Sequence, residues 1–362
     1  MAYELDNLPL EELFLPVSNA TAALVRLDER IACSPIGNGL VARLDMRDAV
    51  ASMWLDGELV HLEDLVLHDA MMDLRTPSHA LTLAHAVLRM RRQIAGRPAD
   101  WALSAAGIRH LLGLQGEAAA QAEPEAGNQD SQADETALYQ DIDALLARTD
   151  AILKGLAEPR PRREMAQPMA DRNDVFVDED QDEDARLKEW MVCFEATAHL
   201  PPMLRAAIMH DAWFTHEVVQ RSVWIGRVLT AAYLRQSGLA AHHVPALSIG
   251  LRNKRPDERR SGSQLVRLKT FLAAIEEMAD AALKEHDRLM LAREQMSRKL
   301  KGRRSNSRLP QLMEMTLRSP LISSLMVEKE LKVTQQGALK LIAELNLREI
   351  TGRGRFRAWG IL

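Results

Sequence analysis

Aromatic residues fill only 4% of the positions in this chain, and there are just two cysteines. Cys33 and Cys193 lie far apart and form no C-x-x-C pair, which excludes a disulfide framework and a cysteine metal ribbon and suits a reducing compartment. No apolar run reaches the roughly 18 residues that a membrane-crossing helix needs. The opening residues Met1-Ala2-Tyr3-Glu4-Leu5-Asp6 are acidic and lack the apolar core of a secretory signal, so the expected location is cytoplasmic. With aromatics scarce and Ala, Leu and Met abundant, the expected fold class is mainly α, with helices packed on helices.

Charge of one sign is also missing, but only locally. The formal net charge of −5 hides an acidic run, Asp174 to Asp184, which holds seven Asp and Glu and no basic residue. From Arg298 to the end there are 14 Lys and Arg against 5 Glu, a net of +9. A basic end on an acidic body is the layout expected where one end meets a polyphosphate. A solvated charged face is the blander alternative.

Residues 1–115 read as amphipathic helices. One is expected to start near Asp45 as N-cap. Another covers Thr82–Ala95, with Arg89, Arg91 and Arg92 favouring the negative end of its dipole and Gly96-Arg97-Pro98 stopping it. Residues 116–184 are expected to be a flexible, partly acidic linker with one short helix near 138–156. Residues 185–301 carry helices expected at 186–199, 202–217 and 221–237, the last capped by Gly238, then a long helix over 263–300. Residues 302–307 resemble a hinge before the final segment, 308–362.

In that final segment Ser319-Pro320 is expected to open a helix that presents Leu321, Leu325 and Leu331 to a core. A short turn, Lys332-Val333-Thr334, leads to a second helix, Gln335–Leu345, with Thr334 as N-cap. This is the spacing of a helix-turn-helix. Two strand-like runs follow, Leu347–Ile350 and Phe356–Trp359, joined by Thr351-Gly352-Arg353-Gly354-Arg355. A glycine- and arginine-tipped hairpin suits a wing on a winged helix-turn-helix. The expected partner is double-stranded DNA. Gln335, Gln336 and Lys340 are the expected base readers, Thr334 a phosphate contact, and Arg353, Arg355 and Arg357 the contacts of the wing. A winged helix used for protein–protein contact would have the same pattern.

The middle of the chain resembles the Fic (filamentation induced by cAMP) family. Leu200–His210 is similar to the helix before that family's active loop, with its Ala-x-x-x-His pattern in Ala206 and His210. The family motif H-P-F-x-x-G-N-G-R-x-G-R is matched at His216, Gly226 and Arg227. Ser52-Met53-Trp54-Leu55-Asp56-Gly57 resembles the family's inhibitory S-x-x-x-E-G element, with Asp56 for Glu. The whole chain also resembles rhizobial-type helix-turn-helix proteins of unknown function.

The resemblance implies a Fic-like helical body in which His216 stands where the family has its general base for adenylyl transfer. Arg221, Ser222 and Val223 replace the glycines and Asn of the phosphate nest, Trp224 replaces the phosphate-binding Arg, and Gln220 the Mg²⁺-binding acid. Side chains at nest positions obstruct the backbone that cradles phosphate. The expectation is therefore a DNA-binding regulator, a homodimer, with a Fic-like body that has lost catalysis and needs no cofactor. The alternative is an adenylyltransferase using ATP and Mg²⁺ at a divergent site. No metal site is expected: His216-Glu217-x-x-Gln220 lacks a second His, and His242-His243 lacks ligands at metal spacing. On the bland readings His216 is an interior or surface histidine and Gly226 a helix-packing residue.

Overall fold

Helix α1 (Leu10–Cys33) buries Leu13, Ala20, Leu24, Leu27 and Ile31, a stripe at three- and four-residue spacing. In the computed structural model, which describes residues 3–5, 8–72, 76–113, 178–220, 222–300, 307–351 and 357–361, that stripe lies along the longest helix. The remaining body helices are α2 (Gly37–Leu55), α3 (Leu62–Asp69), α4 (His79–Gly96), α5 (Ala105–Leu111), α6 (Asp178–Ala196), α7 (Pro202–Thr215), α8 (Ile225–Gln236), α9 (Leu247–Arg252), α10 (Pro256–Arg259) and α11 (Gln264–Leu300). The tail adds α12 (Leu309–Arg318), β1 (Ile322–Ser323), α13 (Ser324–Leu331), α14 (Gln335–Leu345), β2 (Arg348–Glu349) and β3 (Ala358–Gly360). Among the described residues the protein is mainly α-helical, with one small sheet.

Helix α2 is the centre of the body. It packs on α1, α3, α4, α9, α11 and α12 and is buried on nearly every side. A helix buried all round carries few polar groups unless each has a partner, and α2 carries Arg43, Asp45, Asp48 and Ser52, all buried. Asp45 is therefore not an N-cap: it lies inside α2 and accepts from Arg91 Nε at 2.9 Å. Arg91 is likewise not a cation at an exposed helix end. It is 1% exposed, bonds Asp48 at 2.9 Å and donates to the carbonyls of Val244 and Pro245. Burial opposes its charge, and Asp48 and Asp45 more than restore it.

Helix α4 starts at His79 under a Ser78 cap, whose hydroxyl accepts from Leu81 N. Asp178 already lies in α6, so the helix begins inside the acidic run expected to be linker. Residues 116–177 of the expected linker, with the short helix at 138–156, and residues 302–306 of the expected hinge at 302–307 lie outside the described residues. Helix α8 ends where expected, with Gly238 at φ +81°, in the left-handed region where glycine has no Cβ to clash.

The tail is a three-helix unit closed by a sheet in the order β1-β3-β2, both pairs antiparallel. Ile322 lies opposite Trp359, and Glu349 opposite the same Trp359. The expected helix start at Ser319-Pro320 is displaced. Ile322-Ser323 pairs as a strand, and Ser323 caps α13 by accepting from Met326 N at 3.2 Å. That shift turns Leu325 outward, 54% exposed, while Leu321 and Leu331 stay buried. The tail sits on the body through α12, which packs against α2 and α11. Arg43 makes the joint: its guanidinium donates to the carbonyls of Leu317 and Thr316 at 2.9 and 2.8 Å, and Glu285 balances it at 3.3 Å.

Candidate nucleic-acid interface

The third helix of the tail, α14, is built to expose its first turns. Lys332 adopts a left-handed conformation at φ 51°, which turns the chain sharply between α13 and α14. Thr334 then caps α14, its Oγ1 accepting from Gly337 N at 3.2 Å. The predicted bounds of this helix, Gln335–Leu345, match the structure. Ala338, Ile342 and Leu345 face the core, and Leu341 is half-buried against it. Gln335, Gln336, Leu339, Lys340 and Ala343 are exposed. The structure thus brings Thr334, Gln335, Gln336 and Lys340 onto one open surface. Reading by residue type missed Leu339 and Ala343. Their spacing, three and seven positions after Gln336, carried the signal.

Behind this face, Lys299 donates to the carbonyl of Leu345 at 2.9 Å and so satisfies the end of α14 from the end of α11. The hairpin closes through Ile350 N to Ala358 O at 2.8 Å and Ala358 N to Thr351 Oγ1 at 2.7 Å. Arg353 and Arg355 lie outside the described residues. Arg357 is exposed but occupied: it donates twice to Glu349, at 2.9 and 2.6 Å, and its guanidinium lies 5.2 Å from the Trp359 ring.

A second feature lies in the body, a cavity of about 640 Å³ between the ends of α2 and α7 and the starts of α8 and α11. Here the two stretches singled out from opposite parts of the chain meet. Arg227, on α8, is buried and donates to Ser52 Oγ at 2.8 Å and to Asp56 at 2.6 Å, although Asp56 lies 171 residues earlier. Gly57 follows as a helix stop with φ +89°. Gly226 packs beneath Trp213: a Cβ there would come 2.2 Å from the indole. His216 is the C-cap of α7, half-buried, with its ring 6.1 Å from that of Tyr3. Burial pulls it below the usual imidazole range, against the nearby Glu189. His216 does not line the cavity; Gln220, Val223 and Arg227 do.

His242 and His243 serve a carboxylate instead. Both ring Nδ1 atoms lie within 2.8 Å of Asp28, and the backbone N–H groups of Ala241 and His242 also donate to it. Among the described residues no three His, Cys, Asp or Glu side chains come together as a metal site, and no helix is long and apolar enough to cross a membrane.

Residues 309–362 match the family model described as an HTH DNA binding domain, and residues 175–301 match one described as a protein of unknown function (DUF1612). Over its full length the chain is 44% identical to uncharacterized protein y4cF of Sinorhizobium fredii (strain NBRC 101917 / NGR234), and the match covers 100% of both chains. The tail is therefore a helix-turn-helix DNA-binding domain.

Proposed function

This chain belongs to the family of the Sinorhizobium fredii protein y4cF, and we propose that it is a cytoplasmic transcriptional regulator that reads duplex DNA with α14 and uses the β2–β3 hairpin as a wing. One observation carries the reading. The capped N-terminal half of α14 leaves Gln335, Gln336 and Lys340 open to solvent in a domain that matches a DNA-binding family. Glutamine pairs with an adenine edge through two hydrogen bonds, and lysine reaches guanine or phosphate. Thr334 stands at the helix start, where backbone N–H groups and the dipole attract phosphate. Arg353, Arg355 and Arg357 give the wing its cations, and Arg357 must release Glu349 to reach a phosphate.

The test is fluorescence anisotropy of the full-length chain on a random duplex pool at rising salt. Affinity falls steeply as counterions return to the DNA, with a log–log slope of about −0.9 per phosphate contact. Indifference to salt, or no retention of duplex in dilute buffer, overturns the reading. We also propose a homodimer on two half-sites about one helical turn apart. The general geometry of helix-turn-helix proteins supports it, whereas α11 buries its apolar face within the chain. Light scattering reads the mass.

The body reads best as a Fic-like scaffold without transferase chemistry. Its support is the meeting of Arg227 with Ser52 and Asp56, the arrangement implied if the Ser-x-x-x-Asp-Gly element restrains the motif arginine. Adenylyl transfer gains nothing from this geometry, because His216 is outside the cavity lining and the phosphate-nest glycines are replaced. Incubation with labelled ATP and Mg²⁺ is expected to leave the protein and added partners unlabelled. Label lost on His216→Ala would reverse that.

A further inference from the structure

The cavity beside Arg227 has its own chemistry. At about 640 Å³ it falls within the range of roughly 300–1,000 Å³ typical of small-molecule sites. One part of its lining is apolar, with Trp213, Phe214, Phe271, Leu55 and Leu251. Another part is cationic, with Arg227, Arg259, Arg260 and Arg267.

Two of these cations are already neutralised. Arg227 is held by Asp56, and Arg267 binds Asp211 through two hydrogen bonds of 2.6 and 2.9 Å. Tyr3 donates to the same Asp211, so that carboxylate has no spare charge to offer. Arg259 donates to the carbonyl of Lys254 at 3.3 Å and lies 6.0 Å from the Trp54 ring. Among the described residues neither Arg259 nor Arg260 forms an ion pair, and exposed Glu217 is the remaining carboxylate of the lining. Burial and the neighbouring Arg260 and Arg227 weaken the hold of Arg259 on its proton, the sign of a cation crowded by its own kind.

A third group points the same way. His210 lines the cavity with its ring 4.6 Å from Phe214 and 4.5 Å from Phe271, and its Nε2 is buried with no hydrogen-bond partner. A buried polar atom left unpaired is costly, because it gives up water without gaining a partner. Burial, with Arg227 and Arg259 nearby, pulls this imidazole down to about 3, so it is neutral and offers one hydrogen bond without charge.

We propose that this cavity binds a small organic acid whose anionic head meets Arg259 and Arg260 and whose flat apolar body lies among Phe214, His210 and Phe271. The head supplies the charge that the two arginines lack, in bidentate geometry suited to guanidinium groups. The body covers the aromatic wall formed by Phe214, His210 and Phe271. None of the residues that hold the head belongs to the 216–227 stretch.

Isothermal titration of the full-length protein tests this with benzoate and naphthalene-1-sulfonate as acids, and with benzamide and AMP for comparison. Saturable binding of at least one acid is expected, weakened at least tenfold in R259Q/R260Q and measurably in R260Q. Arg260 is exposed, so R260Q keeps the wild-type circular dichroism spectrum and melting point. Benzamide, which has the same ring without the charge, is expected not to bind. The proposal is overturned if neither acid binds, if benzamide binds as well as benzoate, if R260Q and the double variant bind like wild type, or if AMP alone binds. DNA binding is measured on the same samples, so failure here leaves the α14 reading standing.

Discussion

Asp28 shows how far a single side chain can be committed. Burial pushes its carboxyl upward, but hydrogen bonds from His243, His242 and the His242 backbone outweigh that and hold it at about 2. An unfolded aspartate titrates near 3.9. The folded pKa is the lower one, so the stabilisation is complete above about pH 4 and is lost as pH falls toward 2. Urea midpoints measured from about pH 5 downward should therefore drop through that window in the wild type, and less so in Asp28→Asn. Equal slopes would remove Asp28 from the acid response. Gly226 makes a steric counterpart. An added Cβ would meet the Trp213 ring at 2.2 Å, and Trp213 is fully buried. Gly226→Ala is expected to cost roughly 1–3 kcal/mol as an overpacked core, read from the urea midpoint. A neutral result would mean that the α7–α8 contact can part freely.

At the scale of elements, the parts legible in the sequence were those whose causes are local. Thr334 and Gly238 mark the start of α14 and the end of α8 because a hydroxyl cap and a left-handed glycine act within one turn. Ser319-Pro320 misled for the opposite reason: pairing of Ile322 with Trp359, 37 positions away, decides that the segment is strand until Ser323. Asp45 resembled a cap, yet its partner Arg91 arrives from α4, 46 residues later. The cavity was hidden in the same way, since His210, Arg227 and Arg259 come from three elements and Arg259 belonged to no recognised pattern.

The open face of α14 allows a prediction at this scale. Gln336→Ala should change which sequences are selected from a random pool, at about 1–3 kcal/mol for the base it reads. Lys340→Ala should weaken all sequences alike and, if it contacts phosphate, reduce the salt slope by about 1. Leu339, 38% exposed beside them, suits a thymine methyl group, so Leu339→Ser should relax a preference for thymine without altering the salt slope. If all three variants select the same sites with the same slope, α14 does not lie in the groove.

Across the whole molecule, the body and the helix-turn-helix tail are joined at Arg43. This side chain is 2% exposed and satisfies the last carbonyls of α12, which would otherwise be buried without donors. Burial draws its pKa down to about 10, still charged near neutrality, and Glu285 holds it in place. Glu285 in turn pairs with Arg47 and Arg288, so one carboxylate of α11 organises three arginines beside α12. The same α11 begins at the organic-acid cavity with Arg267 and Phe271 and ends with Lys299 bonded to α14. Removing Arg43 therefore leaves two carbonyls and part of a buried charge without partners. Arg43→Ala is expected to lower stability by about 3–5 kcal/mol, as for a broken buried ion pair. Arg43→Lys recovers little of it, since a single ammonium cannot span Leu317 O, Thr316 O and Glu285 as the planar fork does. Urea unfolding by circular dichroism reads both variants, and wild-type stability in Arg43→Lys would show that charge alone, without the fork, holds the tail to the body.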